Sequence, residues 1–194
     1  MKNLNIVRFF DSKAETWDKM PHNPELVNRI LDNALPEKAG KVLDVACGTG
    51  VLFPFFLERG ITDITAIDIS QGMIAVAKRK FKDTNSIDFI CADASDYSFD
   101  GLFDSIIIYN AFPHFTDPDV LLSNLVPHLA KGGILSIAHS CGREELNKFH
   151  KEQASPISFP LPPADEVASL MSKYLKVELV ISEEHLYQVT GKAF

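Results

Sequence analysis

From Lys41 onwards the chain alternates short, almost unbroken apolar runs with longer stretches in which apolar residues recur at helical spacing. "KVLDVA", "ITAIDI", "IDFICAD", "FDSIIIYN" and "ILSIAH" have the length and β-branched content of buried strands. Between them lie helical patterns. "VLFPFFLERG" ends at Gly60 and tolerates Pro54 in its first turn; "SQGMIAVAKRKF" is capped by Ser70. The spacing predicts a helix from Asp117 to about Lys131, broken by Gly132 and Gly133, and a short helix in "GREELNKFHKEQ". A proline-rich loop, "SPISFPLPP", leads to a helix in "ADEVASLMSKYL". "KVELVI" and "HLYQVTGKA" are close enough to pair as a hairpin.

Ahead of this repeating pattern, "NPELVNRILDNALP" places Leu26, Val27, Ile30, Leu31 and Leu35 on one helical face, with Asn23 and Pro24 as cap and first turn. The earlier "IVRFFDSKAETWDKM" is also helix-like and lies outside the alternation, so it suits a lid. Strands bracketed by helices predict an α/β fold, a mostly parallel sheet covered on both faces. The expectation is one domain over residues 1–194, with a helical lid over 1–36 and a Rossmann-like core over 37–194. In such sheets ligands sit at the carboxyl ends of the strands, near the topological switch point. The places to search are therefore just after Ala46, Ile67, Ala92, Tyr109 and Ala138.

Length and composition fit this picture. The chain has 194 residues, 46% hydrophobic and 23% charged, which suits a single globular core. The net charge of −7 argues against a nucleic-acid partner, since phosphate backbones would be repelled. The N-terminus lacks the apolar stretch of a signal peptide, and no run is long enough to span a membrane. A cytoplasmic protein is expected. Cys47, Cys91 and Cys141 form no C-x-x-C pair, and the histidines have no short ligand spacing, so no metal site is expected. Oligomeric state stays open, a homodimer being one option.

Chemistry concentrates at the strand ends. "ACGTG" follows the first strand, and Gly48 and Gly50 let a ligand approach the backbone. Asp68 closes the second strand, where a carboxylate can accept two hydrogen bonds from a ribose diol. Asp93 closes the third, and "YNAFPHF" follows the fourth. A nicotinamide dinucleotide would call for G-x-G-x-x-G, yet Phe53 stands at the third glycine position. Asp44, inside the first strand, would repel a pyrophosphate. An adenosine ligand without phosphate, carrying a cationic centre, fits better.

Taken together, "VLDVACGTG", "AIDIS", "CADASD", "FDSIIIYNAFPHF" and "LAKGGILSIAH" resemble the successive motifs of the class I S-adenosylmethionine-dependent methyltransferases. "FFDSKAETWD" is similar to the opening of small-molecule members of the menaquinone-biosynthesis type. The resemblance implies a seven-stranded sheet whose last strand runs antiparallel. It implies that Asp44 lies near the cofactor's methionine amino group, and that Ala46, Gly48 and Gly50 form the loop beneath the methionine and ribose. Asp68 would bind the ribose hydroxyls. Ile69 and Met73 would pack on the adenine, with Asp93 at its amino group and Ala94 offering backbone. Asn110 would lie beside the methionine end, and Trp17 in the lid. The family often has glycine where Ala46 stands.

The implied reaction is in-line transfer of a methyl group from S-adenosylmethionine to a small-molecule acceptor. Candidate acceptor-side groups are His114, His139 and Arg143, with His150 and Tyr187 behind them. The (Asn/Asp)-Pro-Pro-aromatic motif of nucleic-acid adenine methyltransferases is absent, for "NAFPHF" keeps only Asn110. Two alternatives remain at this level: a protein that binds S-adenosylmethionine or S-adenosylhomocysteine without transferring methyl, and a nicotinamide-dependent oxidoreductase.

Overall fold

The structure, a computed structural model, describes residues 2–19, 22–152 and 157–194. Met20 of the expected lid, Gln153 of the expected short helix, and Ser155 and Pro156 of the proline-rich loop lie outside these residues.

Seven strands form one sheet: β1 (Lys41–Val45), β2 (Asp63–Asp68), β3 (Ile87–Cys91), β4 (Phe103–Tyr109), β5 (Leu129–His139), β6 (Lys176–Ser182) and β7 (Tyr187–Lys192). Their order is β3-β2-β1-β4-β5-β7-β6. Pairings among β1 to β5 are all parallel, while β7 runs antiparallel to both β5 and β6. The chain leaves β1 towards β2 on one side and returns to β4 on the other. The switch point therefore falls between β1 and β4.

The β-branched runs are buried because both faces are covered. On one face Val42, Ile64, Ala66 and Ile107 pack against α2 (Pro24–Ala34), α3 (Phe53–Glu58) and α4 (Gln71–Lys80). On the other, Leu43, Ile106, Ile108 and Ile137 meet α5 (Pro118–Leu125) and α7 (Ala164–Met171). Residues two apart on a strand point the same way, so one strand feeds both cores. The expected caps are present. Asn23 accepts from the N–H groups of Glu25 and Leu26, and Ser70 Oγ accepts from Met73.

Two expectations need correction. The helix beginning at Asp117 does not reach Lys131. Pro127 lacks the N–H that a continuing helix needs, so α5 stops at Leu125. A single 3-10 turn, Val126–His128, follows, and β5 starts at Leu129. Gly132 and Gly133 then sit inside β5, where the pairing with β4 slips from Phe103↔Leu129 to Ser105↔Ile134. Gly132 takes φ +72°, and a side chain on Gly133 would strike the Phe103 carbonyl. The glycines here allow a bulge, not a break.

The second correction concerns residues 1–36. Val27, Ile30, Leu31 and Ala34 of α2 are fully buried against the sheet, so this helix is core. Among the described residues of this segment, Ile6 and Phe10 of α1 (Lys2–Lys13), Trp17 of the 3-10 segment Ala14–Lys19, and His22 lie over the strand ends. A polar network ties β7 to α2 and β5. Gln188, with no exposed surface, donates to the Ile30 carbonyl and to Ser136 Oγ, and accepts from Asn33.

Candidate active site

A cavity of about 260 Å³ opens at the carboxyl ends of β1 to β5, roofed by the N-terminal segment. Its wall takes Ala46 to Thr49 after β1, Asp68 and Ile69 at the end of β2, and Ala92 to Ser95 after β3. Tyr109 ends β4, Asn110 and Ala111 follow it, and Ser140 follows β5. These are the strand ends named from the sequence.

The loop after β1 is held by tertiary contacts. Ala46 adopts φ +56° and Gly48 φ +55°. An alanine in that conformation costs about 1–2 kcal/mol, strain of the kind concentrated at functional sites. The loop is pinned where Cys47 donates to the Ile67 carbonyl and Gly48 N–H donates to Asp68 Oδ2 at 2.8 Å. Asp68 Oδ1 accepts from Ser70 N–H, also at 2.8 Å. The carboxylate expected to bind a ribose therefore also ties the glycine loop to the end of β2. Burial raises its pKa to about 6, against the lowering effect of those two N–H groups.

Asp44 lies in the middle of β1, paired with Ala66 and Ile107 on either side. It is 2% exposed, and its Oδ2 has no hydrogen-bond partner. Burial, with the nearby Asp68 charge, pushes its pKa well above the usual carboxylate range. It does not itself line the cavity; it sits beneath the loop. Gly50 also lies off the wall. It takes φ +84°, and a Cβ there would run into the Phe53 ring. That ring is fully buried, edge-on to Phe81 and Phe89 at 5.1 and 5.8 Å. The phenyl group occupies the place where a dinucleotide fingerprint has a third glycine to bring its helix close.

On the side of β2 and β3, Ile69, Met73, Asp93 and Ala94 all line the cavity. Asp93 accepts from Ser95 N–H at 2.9 Å, and Asn124 holds the loop by donating to the carbonyls of Ala94 and Tyr97. On the other side, Asn110 takes φ +53°. Its side chain exchanges two hydrogen bonds with Ser140, joining the ends of β4 and β5. Trp17 lines the cavity as a roof residue, its indole nitrogen above Gly48.

The acceptor-side candidates divide. His114 lines the cavity. His139, 1% exposed, lies behind the wall with its ring 5.9 Å from Tyr187, and its Nε2 has no partner. Burial, reinforced by His114 and His150, lowers its pKa to about 3; His114 is lowered to about 4 for the same first reason. Both are neutral at pH 7. Arg143 does not line the cavity, and its Nε donates to the Leu161 carbonyl at 3.1 Å. Among the described residues no group of three or more His, Cys, Asp or Glu is placed to hold a metal ion.

Because the folded protein holds His139 neutral, the unfolded chain binds more protons between its ordinary pKa of 6.5 and about 3. That part of the stability is complete above pH 6.5 and is lost as pH falls towards 3. In His139→Leu, thermal melts taken from pH 7 down to pH 4 should therefore fall less steeply than in the parent. An unchanged slope would mean that His139 is not held neutral by the fold.

Sequence reasoning missed the fastening of the roof. Asp11 Oδ1 accepts from Ser70 Oγ at 2.6 Å and from Gly72 N–H at 2.8 Å, at the start of α4. A side chain on Gly72 would press on the Asp11 backbone at 3.1 Å. Asp18 accepts from Thr49 Oγ1 and pairs with Lys80 at 2.8 Å. The only trace in the sequence is the seven-residue spacing of Asp11 and Asp18 on a helical stretch, which also marks any solvated face. Tyr109 and Ser140 were also missed as wall residues, although each adjoins a residue that was named.

Residues 42–133 match the family model described as a methyltransferase domain, in keeping with the resemblance of the motifs to the class I S-adenosylmethionine-dependent methyltransferases. Within that class its relatives include the malonyl-[acyl-carrier protein] O-methyltransferase of Acetivibrio thermocellus, 31% identical over 73% of this chain and 50% of that protein. The demethylmenaquinone methyltransferase of Paenarthrobacter aurescens is 38% identical over 71% of this chain and 58% of its own length. The chain thus spans about half to three-fifths of these two curated relatives. The N-methyltransferase NodS of Bradyrhizobium japonicum, solved with S-adenosylhomocysteine, shares the fold with a TM-score of 0.74. Its identity is 16%, over 97% of this chain and 98% of that one.

S-adenosylmethionine is the cofactor of this class, and the residues present fit it. An unpartnered buried carboxylate lies under the glycine loop, where a cationic amino group would complete it. An acid closes β2, and apolar Ile69 and Met73 flank the space where a flat ring would lie.

Proposed function

We propose that this protein transfers the methyl group of S-adenosylmethionine to a small-molecule acceptor by in-line displacement. The observation that carries the reading is Asp44, a buried carboxylate without a partner beneath the glycine loop. It suits a ligand with an ammonium group and is hostile to a pyrophosphate. When bound, the cofactor supplies a methyl carbon activated by its sulfonium. The chain's own work is then placement and the exclusion of water. Asp44 holds the amino end, directly or through a water. Asp68 accepts from the ribose hydroxyls, Ile69 and Met73 pack on the adenine, and Asp93 receives its amino group. Ala46 and Gly48 shape the floor, Gly50 holds the turn behind them, and Ala94 and Asn110 complete the wall. Trp17 and Phe10 close the roof. His114 faces the acceptor, with His139 and Arg143 supporting that side from behind.

The relatives' names give different acceptors, so neither is carried over to this chain. No helix among the described residues is long and apolar enough to cross a membrane, in keeping with an acceptor met outside a bilayer span. Titration calorimetry with S-adenosylmethionine, S-adenosylhomocysteine and NAD tests the reading. The first two should bind and NAD should not, because Phe53 fills its helix approach. Binding of NAD alone would overturn the assignment. Tight S-adenosylhomocysteine binding with no methyl transfer to any fraction of a metabolite extract would instead leave a cofactor-binding protein without transferase activity.

A further inference from the structure

Asp11, Glu15 and Asp18 follow one another in the N-terminal segment at spacings of four and three residues, which puts them on one face of a helical stretch. All three reach α4. A solvated acidic face looks different. On α6 (Arg143–Glu152), Glu144 and Glu145 are exposed, and Glu152 pairs within its own helix with Lys148 at 3.9 Å. The three contacts on α4 are not equivalent. Asp11 takes Ser70 and Gly72 at the start of that helix. Glu15 meets Arg79 at 2.7 Å, but both side chains are mostly exposed, and a pair of this kind holds little against water and salt. Among the described residues of the roof, Asp18 alone hydrogen-bonds to the glycine loop.

Its contacts close a triangle. Asp18 Oδ1 accepts from Thr49 Oγ1, and Asp18 Oδ2 lies 2.8 Å from Lys80 Nζ. Lys80 Nζ in turn donates to the Thr49 carbonyl at 2.9 Å. Each member bonds both others, so the roof, the glycine loop and the end of α4 meet at one point. Thr49, 1% exposed, stands between Gly48 and Gly50, which take φ +55° and +84°. The side chains of Asp18 and Lys80 are 44% and 33% exposed, so water reaches the pair and it can part. Partial burial would raise the Asp18 carboxyl, but hydrogen bonds from Lys80 and Thr49 outweigh it and hold the pKa below its ordinary value. The acid is therefore ionised at neutral pH.

The loop needs holding from outside, because Ala46 is strained at φ +56°. On the β2 side Asp68 holds it by accepting from Gly48. On the α4 side the anchor is Lys80, whose paired carboxylate is Asp18. Lifting the roof takes Asp18 away. Thr49 is then left with a hydroxyl that has lost its acceptor, and Lys80 with no counter-charge beside it. Trp17, the neighbour of Asp18, lies over Gly48, the neighbour of Thr49. Its indole nitrogen is 3.8 Å from where a Cβ on that glycine would stand. Roof and loop thus grip each other at two successive residues on each side.

Resting on the methyltransferase reading above, we propose that Asp18 and Lys80 are positioning residues that couple the roof to the glycine loop, so that the cofactor product leaves only when their triangle with Thr49 opens. The closed roof fixes the loop in its ligand-ready shape. By reciprocity, a ligand seated on that loop holds the roof down. Asp18 is the member that moves, since Lys80 and Thr49 belong to elements anchored on the sheet. The pair governs how long the product stays, not how the methyl group moves.

The test measures release of labelled S-adenosylhomocysteine from the full chain, chased by an unlabelled excess. Asp18→Ala and Lys80→Met should each speed release about tenfold, within the range usual for coupling between sites. The double variant should release no faster than the faster single one, as expected for residues that share a contact. Glu15→Ala, which loses only the exposed pair on the same face, should release at the parent's rate. Trp17 is the chain's single tryptophan, so its quenching by acrylamide reports the roof. Bound S-adenosylhomocysteine should protect it in the parent and much less in Asp18→Ala. Asp18→Asn and Thr49→Val serve if the first variants do not fold, and Lys80→Arg, which keeps the charge, should restore slow release. Release at the parent's rate in both single variants, additive effects in the double, or full protection of Trp17 in Asp18→Ala would overturn the proposal. Failure of S-adenosylhomocysteine to bind the parent would instead remove the methyltransferase reading beneath it.

Discussion

Asp44→Asn should stabilise the ligand-free protein and weaken its hold on S-adenosylmethionine. In the absence of ligand the carboxylate is buried with an unpaired oxygen, and burial and Asp68 both oppose its ionisation. An amide of the same shape carries no charge to desolvate, so the gain at pH 8 should be on the order of 1–2 kcal/mol. The sign with pH follows from linkage. An acid whose folded pKa is raised gives up stability as pH rises past its unfolded value of 3.8, because the unfolded chain releases its proton first. The variant's advantage should therefore be small at pH 4 and grow towards pH 8. Cofactor affinity should move the other way. Losing a hydrogen bond between charged groups costs about 1.5–3 kcal/mol, roughly a 10- to 150-fold weakening. Thermal melts and calorimetry on the same samples would check both halves. A variant that is destabilised at pH 8 and binds S-adenosylmethionine normally would remove Asp44 from the site.

Asp68→Ala should damage both binding and fold, because the side chain has two tasks. The variant loses the acceptor proposed for the ribose diol, about 1.5–3 kcal/mol of affinity. It also leaves the N–H groups of Gly48 and Ser70 without the oxygens they now reach at 2.8 Å, at a cost of about 1–3 kcal/mol in stability. Isothermal titration and urea unfolding separate the two losses. Asp68→Asn keeps one carbonyl oxygen and should recover part of each. Undiminished affinity in the alanine variant would contradict the ribose assignment, whatever happened to its stability.

The double duty of Asp68 shows where the sequence stops. Its position at the end of a strand, beyond a glycine loop, could be read from spacing alone. That it fastens the loop by accepting from Gly48 could not, since the two residues meet only when β1 and β2 pair. His139 shows the same limit. The sequence places it correctly at the end of β5, but the side to which it points depends on sheet register. That register sends it behind the wall, against Tyr187.

What the sequence determined by itself is periodic or local. The β-branched runs separated by helical spacing dictate a parallel sheet covered on both faces. Asn23 and Ser70 start their helices, and Phe53 in place of a third glycine argues against a dinucleotide. Each of these follows from residues within a few positions of one another. Tertiary structure decided everything that depends on distant segments meeting. It placed β7 between β5 and β6, with Gln188 bonded to α2 and β5, and it made α2 part of the core. It latched the roof to α4 through Asp11, and it gathered Tyr109, His114, His139, His150 and Tyr187 at one end of the sheet. Spacing along a chain reports which way a side chain can face; what it faces is set by packing between elements remote in sequence.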